Sequence, residues 1–293
     1  MRHNRDERVT NAQPQPRSRA FPEKNRFSQG YRSNIGSRHD SLASRPTAYC
    51  RPLRPVHAPA LSDRLATRSA RLGFSTCKLT AKVGAHEFRL RALSDLQQYS
   101  DADGAGDRAG ISSAQWSLFG HLWPSARVLA EAMSQFAVAG LRVLEIGCGL
   151  GLPSLVLKQR GANVTASDHH PLAEEFLEYN TALNGLTRIT YRDLSWAIPE
   201  PAMGHFDLII GSDVLYERDH GALLSRLVLR HAAPNAEVVI TDPGRGFSAP
   251  FTRAMQAQGF ACTTLTTPTR EDFPFRIRLL KFRRSPELVA QPA

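Results

Sequence analysis

The sequence predicts an α/β protein built on a doubly wound, mostly parallel seven-stranded sheet, with an antiparallel hairpin at one edge and an N-terminal β-hairpin ahead of it. Three observations carry this expectation. From residue 142 to 283, short apolar runs rich in β-branched residues alternate with stretches of helical period, as βαβ units require. The first run ends in an acid and meets three glycines spaced by two, in Arg142-Val-Leu-Glu-Ile-Gly-Cys-Gly-Leu-Gly-Leu-Pro153, as a strand does when it turns sharply into a helix. The last two runs, Phe260 to Thr266 and Phe275 to Arg283, are joined by a short irregular link that suits an antiparallel pair.

The 293 residues are 42% hydrophobic, ample for a large core. No stretch approaches 18 consecutive apolar residues, and residues 1–30 lack the apolar segment of a secretory signal, so a cytoplasmic protein with no membrane partner is expected. Cys50, Cys77, Cys148 and Cys262 form no CxxC pair; they read as reduced thiols, with no metal site. The net charge of +10 is concentrated at one end. Residues 1–60 hold 12 Arg and Lys against 4 Asp and Glu, leaving 25 against 23 elsewhere. Nucleic acid is therefore an unlikely partner for the core and a possible one for the leader. Residues 1–60, rich in Arg, Ser, Asn, Gln and Pro, have no period and are expected to be a disordered basic leader. It reads first as a dispensable tail with a solvated charge, and otherwise as a nucleic-acid or membrane tether or a transit segment that would make the protein mitochondrial. The folded domain is expected over 61–293.

Along that domain, Cys77 to Val83 and Glu87 to Leu93 alternate across a turn at Gly84-Ala-His86, a β-hairpin at about 75–93. Ser94 to Ile111, rich in Asp and Gly, is expected to be a mobile loop close to the site. Gln115-Trp-Ser-Leu-Phe-Gly-His-Leu-Trp-Pro124 then leads into a helix, Ser125 to Phe136. Trp123, at that helix start, is either core or ligand contact. After the glycine turn, the helix Pro153 to Arg160 would offer its free N–H groups to a ligand. Strands are expected at Ala162 to Asp168, Ile189 to Asp193, His205 to Asp213 and Ala236 to Thr241. Helices are expected at Pro171 to Leu183, His220 to His231 and Pro250 to Gly259. The core spans about 115–284.

Ligands of open α/β sheets bind beyond the carboxyl ends of the strands. There the chain places Asp168, able either to accept from ribose hydroxyls or to cap the next helix, and Asp193 with Trp196, able to frame an adenine. Ser212, Asp213 and Tyr216 end the fourth strand in the same crevice. A dinucleotide site would want glycine at 147, 149 and 152, but position 152 is Leu and the third glycine is Gly151. A phosphate-binding P-loop would need Lys-Ser or Lys-Thr after its glycines, and neither is present. What remains is a cofactor with adenine and ribose but no pyrophosphate.

Glu145-Ile-Gly-Cys-Gly-Leu-Gly151, Asp168, Trp196 and Ser212-Asp-Val-Leu-Tyr216 resemble the class I, Rossmann-like seven-strand S-adenosylmethionine methyltransferases. Gly120-His-Leu-Trp-Pro124 together with Asp213-x-x-Tyr216 resembles, more narrowly, methyltransferase family 16, whose members are largely protein lysine methyltransferases. The likeness runs from about Lys78 to Arg284. It implies the strand order 3-2-1-4-5-7-6 and assigns Trp123, Glu145, Gly147, Cys148, Gly149, Asp168, Trp196 and Ser212 to S-adenosyl-L-methionine. It sets Asp213 and Tyr216, the expected catalytic residues, at the channel of a protein lysine acceptor. A small-molecule N-methyltransferase and a non-catalytic cofactor-binding module are the alternatives the residues leave open.

Overall fold

The computed structural model describes residues 51–52, 73–269, 273 and 275–284. The leader expected over 1–60 lies outside the described residues except for Arg51–Pro52. Those two residues form β1 (Arg51–Pro52), which pairs antiparallel with β2 (Thr76–Val83), itself paired with β3 (His86–Leu93). The expected hairpin is therefore present, with Gly84 at φ 56° in its turn, and carries one short extra strand. Cys77 in β2 is disulfide-bonded, which corrects the expectation of four reduced thiols; Cys148 and Cys262 are free.

The main sheet is formed by β4 (Arg142–Ile146), β5 (Asn163–Asp168), β6 (Thr190–Asp193), β7 (Phe206–Ser212), β8 (Ala232–Asp242), β9 (Phe260–Thr266) and β10 (Arg278–Arg284). Its order is β6-β5-β4-β7-β8-β10-β9, which is the expected 3-2-1-4-5-7-6. One row of register crosses it: Thr165, Leu144, Ile209, Val238, Phe282 and Cys262 lie side by side. β10 alone runs against the other six strands, so the expected edge hairpin is there with β9 outermost. The chain leaves β4 towards β5 and β6 on one side and returns through β7 to β8 on the other. That reversal opens a crevice beyond the ends of β4 and β7.

Alternation along the strands divides the core in two. Val143, Leu208, Ile210 and Val239 pack with Leu129 and Met133 of α2 (Pro124–Gln135) and Leu155 and Val156 of α3 (Leu152–Gln159). Leu144, Ile146, Ile209, Val238 and Ile240 pack with Leu224 and Val228 of α5 (His220–His231) and Phe251 and Met255 of α6 (Ser248–Ala257). The central strands β4 and β7 are apolar on both faces because helices cover both, whereas β6 and β9 at the two edges are largely exposed.

Two features were not foreseen. The loop at 94–111 contains a one-turn helix, α1 (Ala105–Arg108), whose second and third N–H groups are taken by Asp101: Gly106 N donates to Oδ1 at 2.7 Å and Asp107 N to Oδ2 at 2.8 Å. These bonds stabilise the charged carboxylate and hold its pKa below the ordinary value. The second feature closes the open edge of β3. Asn180 in α4 (Ala173–Leu183) and Asn184 just after it present their amides as a strand would. Arg89 N donates to Asn184 Oδ1 at 2.8 Å and Arg91 N to Asn180 Oδ1 at 2.6 Å, and both amide nitrogens donate back to the carbonyls of Arg89 and Arg91. Asn180 Nδ2 also reaches the carbonyl of Leu150 at 3.0 Å, tying the hairpin to the glycine turn.

Candidate active site

The turn after β4 holds Gly147, Gly149 and Gly151 at φ 61°, 51° and 78°, all in the left-handed region that glycine enters without a Cβ penalty. Space excludes a side chain as well. A Cβ on Gly149 would sit 2.8 Å from the carbonyl oxygen of Phe119, and one on Gly147 would sit 2.9 Å from Val214 Cγ1. The backbone of the turn is thus clamped between the segment before α2 and the segment after β7, where the cofactor was expected.

Two acids take donors at this turn, while Cys148 N and Gly151 N donate to the carbonyls of Ser167 and Cys148. Glu145, fully buried one residue before the end of β4, accepts from Ser154 N at 2.9 Å and from Ser154 Oγ through Oε2. Pro153 has no N–H to offer. The sequence reading gave the start of α3 free donors for a ligand; instead Glu145 takes the Ser154 donor. Asp168 at the tip of β5 accepts from Gly149 N at 2.8 Å, His169 N at 2.8 Å and His170 N at 3.0 Å. A carboxylate has about four acceptor positions, so about one is left for a ribose hydroxyl. With Gly149 N taken by Asp168 and both Ser154 donors taken by Glu145, the turn has few donors left for a phosphate.

Burial shapes the ionisation of this group. Desolvation raises the pKa of Glu145 to about 8 against the opposing bonds from Ser154, and Oε1 has no hydrogen-bond partner. Desolvation also raises Asp168, with its backbone bonds opposing. Cys148 is buried, and desolvation pushes its thiol well above the ordinary value, so it is a neutral wall of the turn.

Trp196 lies across Gly147, with Cζ2 3.7 Å from where a Cβ would stand. Its ring meets that of His220 edge-on at 4.9 Å, and His220 meets Tyr216 at 4.4 Å. His220 is buried, and Nδ1 stands 3.0 Å from the carbonyl of Val214. A carbonyl only accepts, so Nδ1 carries the proton; burial lowers the pKa and keeps the ring neutral. Burial likewise raises the pKa of the Tyr216 hydroxyl, which acts as a neutral donor and not as a base. Ser212 ends β7 half-buried, while Asp193 is exposed and meets His169 Nδ1 at 3.3 Å.

Asp213 is the only described non-glycine residue at positive φ, 55°. Its N–H donates to Thr241 O at 2.8 Å and its side chain is 7% exposed. Arg245 grips it with both arms: Nε to Oδ1 at 2.6 Å and Nη2 to Oδ2 at 2.8 Å. The Arg245 guanidinium also lies 5.7 Å from the ring of Trp123. Trp123 is anchored by Nε1 donating to Leu118 O at 2.8 Å, and α2 beside it is tied to β8 by Thr241 Oγ1 donating to Ser125 O at 2.9 Å. Sequence reasoning missed both His220 and Arg245. The signal for Arg245 was an arginine between two glycines, Asp242-Pro-Gly-Arg-Gly246, at a strand's carboxyl end. Among the described residues no group of His, Cys, Asp or Glu could hold a metal ion.

This sheet order, with a glycine turn capped by acids and aromatic residues beyond the strand ends, defines a class I S-adenosylmethionine-dependent methyltransferase. The fold matches that of the 16S rRNA methyltransferase of T. thermophilus solved with AdoMet and guanosine (TM-score 0.50, 18% identity, 72% of this chain and 51% of that one). Residues 112–249 match the lysine methyltransferase family model. The protein N-lysine methyltransferase METTL21A of Danio rerio is 34% identical over 172 residues, 55% of this chain and 78% of its own length. The histone-arginine methyltransferase METTL23 of Xenopus laevis is 32% identical over 136 residues, 43% of this chain and 57% of its own. The chain belongs to the lysine methyltransferase family, and its cofactor is S-adenosylmethionine.

Proposed function

We propose that the enzyme methylates the side-chain nitrogen of a lysine in a protein. The observation that carries this reading is the clustering of Trp123, Asp213 and Tyr216 beside the glycine turn, an acid-and-aromatic mouth suited to a long aliphatic amine. Glu145, Gly147, Cys148, Gly149, Asp168, Trp196 and Ser212 are the residues that would hold the cofactor. Asp168, which keeps about one acceptor position beside the turn, fits a ribose hydroxyl of that cofactor. When bound, S-adenosylmethionine supplies an electrophilic methyl group on a sulfonium.

The chain's own task is to deliver a nucleophile. An unperturbed lysine of pKa about 10.4 is neutral in roughly four molecules per ten thousand at pH 7. The mouth must therefore favour the deprotonated amine and hold it in line with the methyl. The proton that the nitrogen must shed would pass to water. Tyr216, a phenol throughout, can accept from or donate to that nitrogen through its hydroxyl, and the Trp123 and Trp196 rings exclude water. Asp213, engaged by Arg245 on both oxygens, positions the mouth and is not free to take the proton.

The test is transfer of labelled methyl from S-adenosylmethionine by the full chain into a whole-cell extract, resolved into protein, nucleic acid and small-molecule fractions. Label recovered as methyl-lysine after protein hydrolysis supports the reading. Label confined to small molecules, to arginine or to nucleic acid overturns it, and label in no fraction favours the non-catalytic module. Fractionation of cells followed by detection of the protein tests the expected cytoplasmic location.

A further inference from the structure

We infer that Arg245 sets the protonation state of the acceptor: by pairing with Asp213 it cancels a carboxylate that would otherwise hold an incoming amine as its unreactive ammonium. The inference rests on the amine-acceptor reading above. The backbone of Asp213 is held at φ 55° and bonded to Thr241, and its carboxylate is buried where Arg245 meets it. Left alone, a buried carboxylate at that point would attract cations and raise their pKa, the opposite of what nucleophilic attack needs. Arg245 removes that pull with a bidentate pair whose inner partner is 7% exposed and outer partner 34% exposed. The turn that carries it is shaped for the purpose: Gly244 and Gly246 both lie at φ 94°, a conformation side chains rarely adopt, and the guanidinium they deliver faces the Trp123 ring.

No neighbouring group takes over this role. Asp242, on β8, is itself paired with Arg278 of β10, which lies close to Gly244. Glu217 is held by Gln115 Nε2 and lies 3.6 Å from His220 Nε2. His220 and Tyr216 are neutral. Arg245 is thus a positioning residue, and it also tunes specificity towards acceptors that enter without their proton.

The test is the pH dependence of methyl transfer by the full chain, from pH 6 to 10. The probe is the protein fraction of a cell extract, and the readout is the most strongly labelled band. Arg245→Gln should move the acidic limb of the profile up by about one pH unit or more, the size expected when an opposite charge is unmasked within contact distance. It should also lower KM for the protein acceptor. In Arg245→Lys, which keeps the charge, and in the double variant Asp213→Asn/Arg245→Gln, which removes both, the acidic limb should stay at its wild-type pH while the maximal rate falls. An Arg245→Gln limb that is unmoved or moves down overturns the inference, as does an Arg245→Lys limb that moves as far as Arg245→Gln. If Arg245→Gln fails to fold, the other two variants carry the comparison, and a limb displaced upward in the double variant overturns the inference. Wild type that labels no protein overturns the amine reading and this inference together; wild type that labels while the variants follow no such pattern overturns this inference alone.

Discussion

Glu145→Gln isolates the energetic cost of placing an acid under the glycine turn. In the folded chain Glu145 is fully buried, with both Ser154 donors on Oε2 and no partner on Oε1, and its pKa is raised from 4.5 to about 8. The sign follows directly. Between pH 4.5 and 8 the folded chain keeps a proton that the unfolded chain has lost, so stability falls as pH rises through that window. At about 1.4 kcal/mol per pH unit, the loss reaches about 3 kcal/mol at pH 7 and at most about 5 kcal/mol above pH 8. Glutamine has the shape of the protonated acid: its carbonyl oxygen can accept from Ser154, and its NH2 stands where Oε1 is. The measurement is urea unfolding of both proteins without cofactor at pH 5, 6, 7 and 8. The difference in unfolding free energy, variant minus wild type, should grow by a few kcal/mol towards the variant between pH 5 and 8. A difference that is flat with pH would refute the assignment of the buried proton to Glu145.

Other consequences are simpler to read. Asp168→Ala strips an acceptor from three backbone N–H groups at the turn, so calorimetry should show S-adenosylmethionine binding at least about tenfold weaker, which is about 1.4 kcal/mol. Gly149→Ala must hold φ 51° with a Cβ pressed on the Phe119 carbonyl; a loss of about 1–3 kcal/mol in stability, with cofactor binding impaired, is expected by thermal melting and calorimetry. Asn180→Ala leaves the buried Arg91 N–H and the Leu150 carbonyl without this partner and should cost about 2–3 kcal/mol in chemical denaturation, while half-buried Asn184→Ala costs less.

The parts of the fold legible in the sequence were those written in local periods. Strand and helix alternation, the three left-handed glycines and the clustering of Ser212, Asp213 and Tyr216 at one strand end all follow from neighbours in the chain. Element ends were less legible. β8 begins at Ala232 and not Ala236, and β10 begins at Arg278 and not Phe275, because pairing with β7 and β8 decides where a strand starts. The order of the sheet was supplied by resemblance, since periodicity carries no information on which strands lie side by side. Asp101, Asn180 and Asn184 showed no pattern that marked them; each acts by replacing a backbone partner that only the folded chain reveals.

By itself, then, the sequence determined the cofactor turn and the residues that gather around it, because glycine geometry and strand ends are local properties. Only the tertiary structure decided how those residues are charged and engaged. The donors at the start of α3 belong to Glu145, nine residues earlier, and the carboxylate of Asp213 belongs to Arg245, thirty-two residues later. Such pairings depend on which loops fold against each other and on how much water they exclude, and neither quantity is a property of any single stretch of chain.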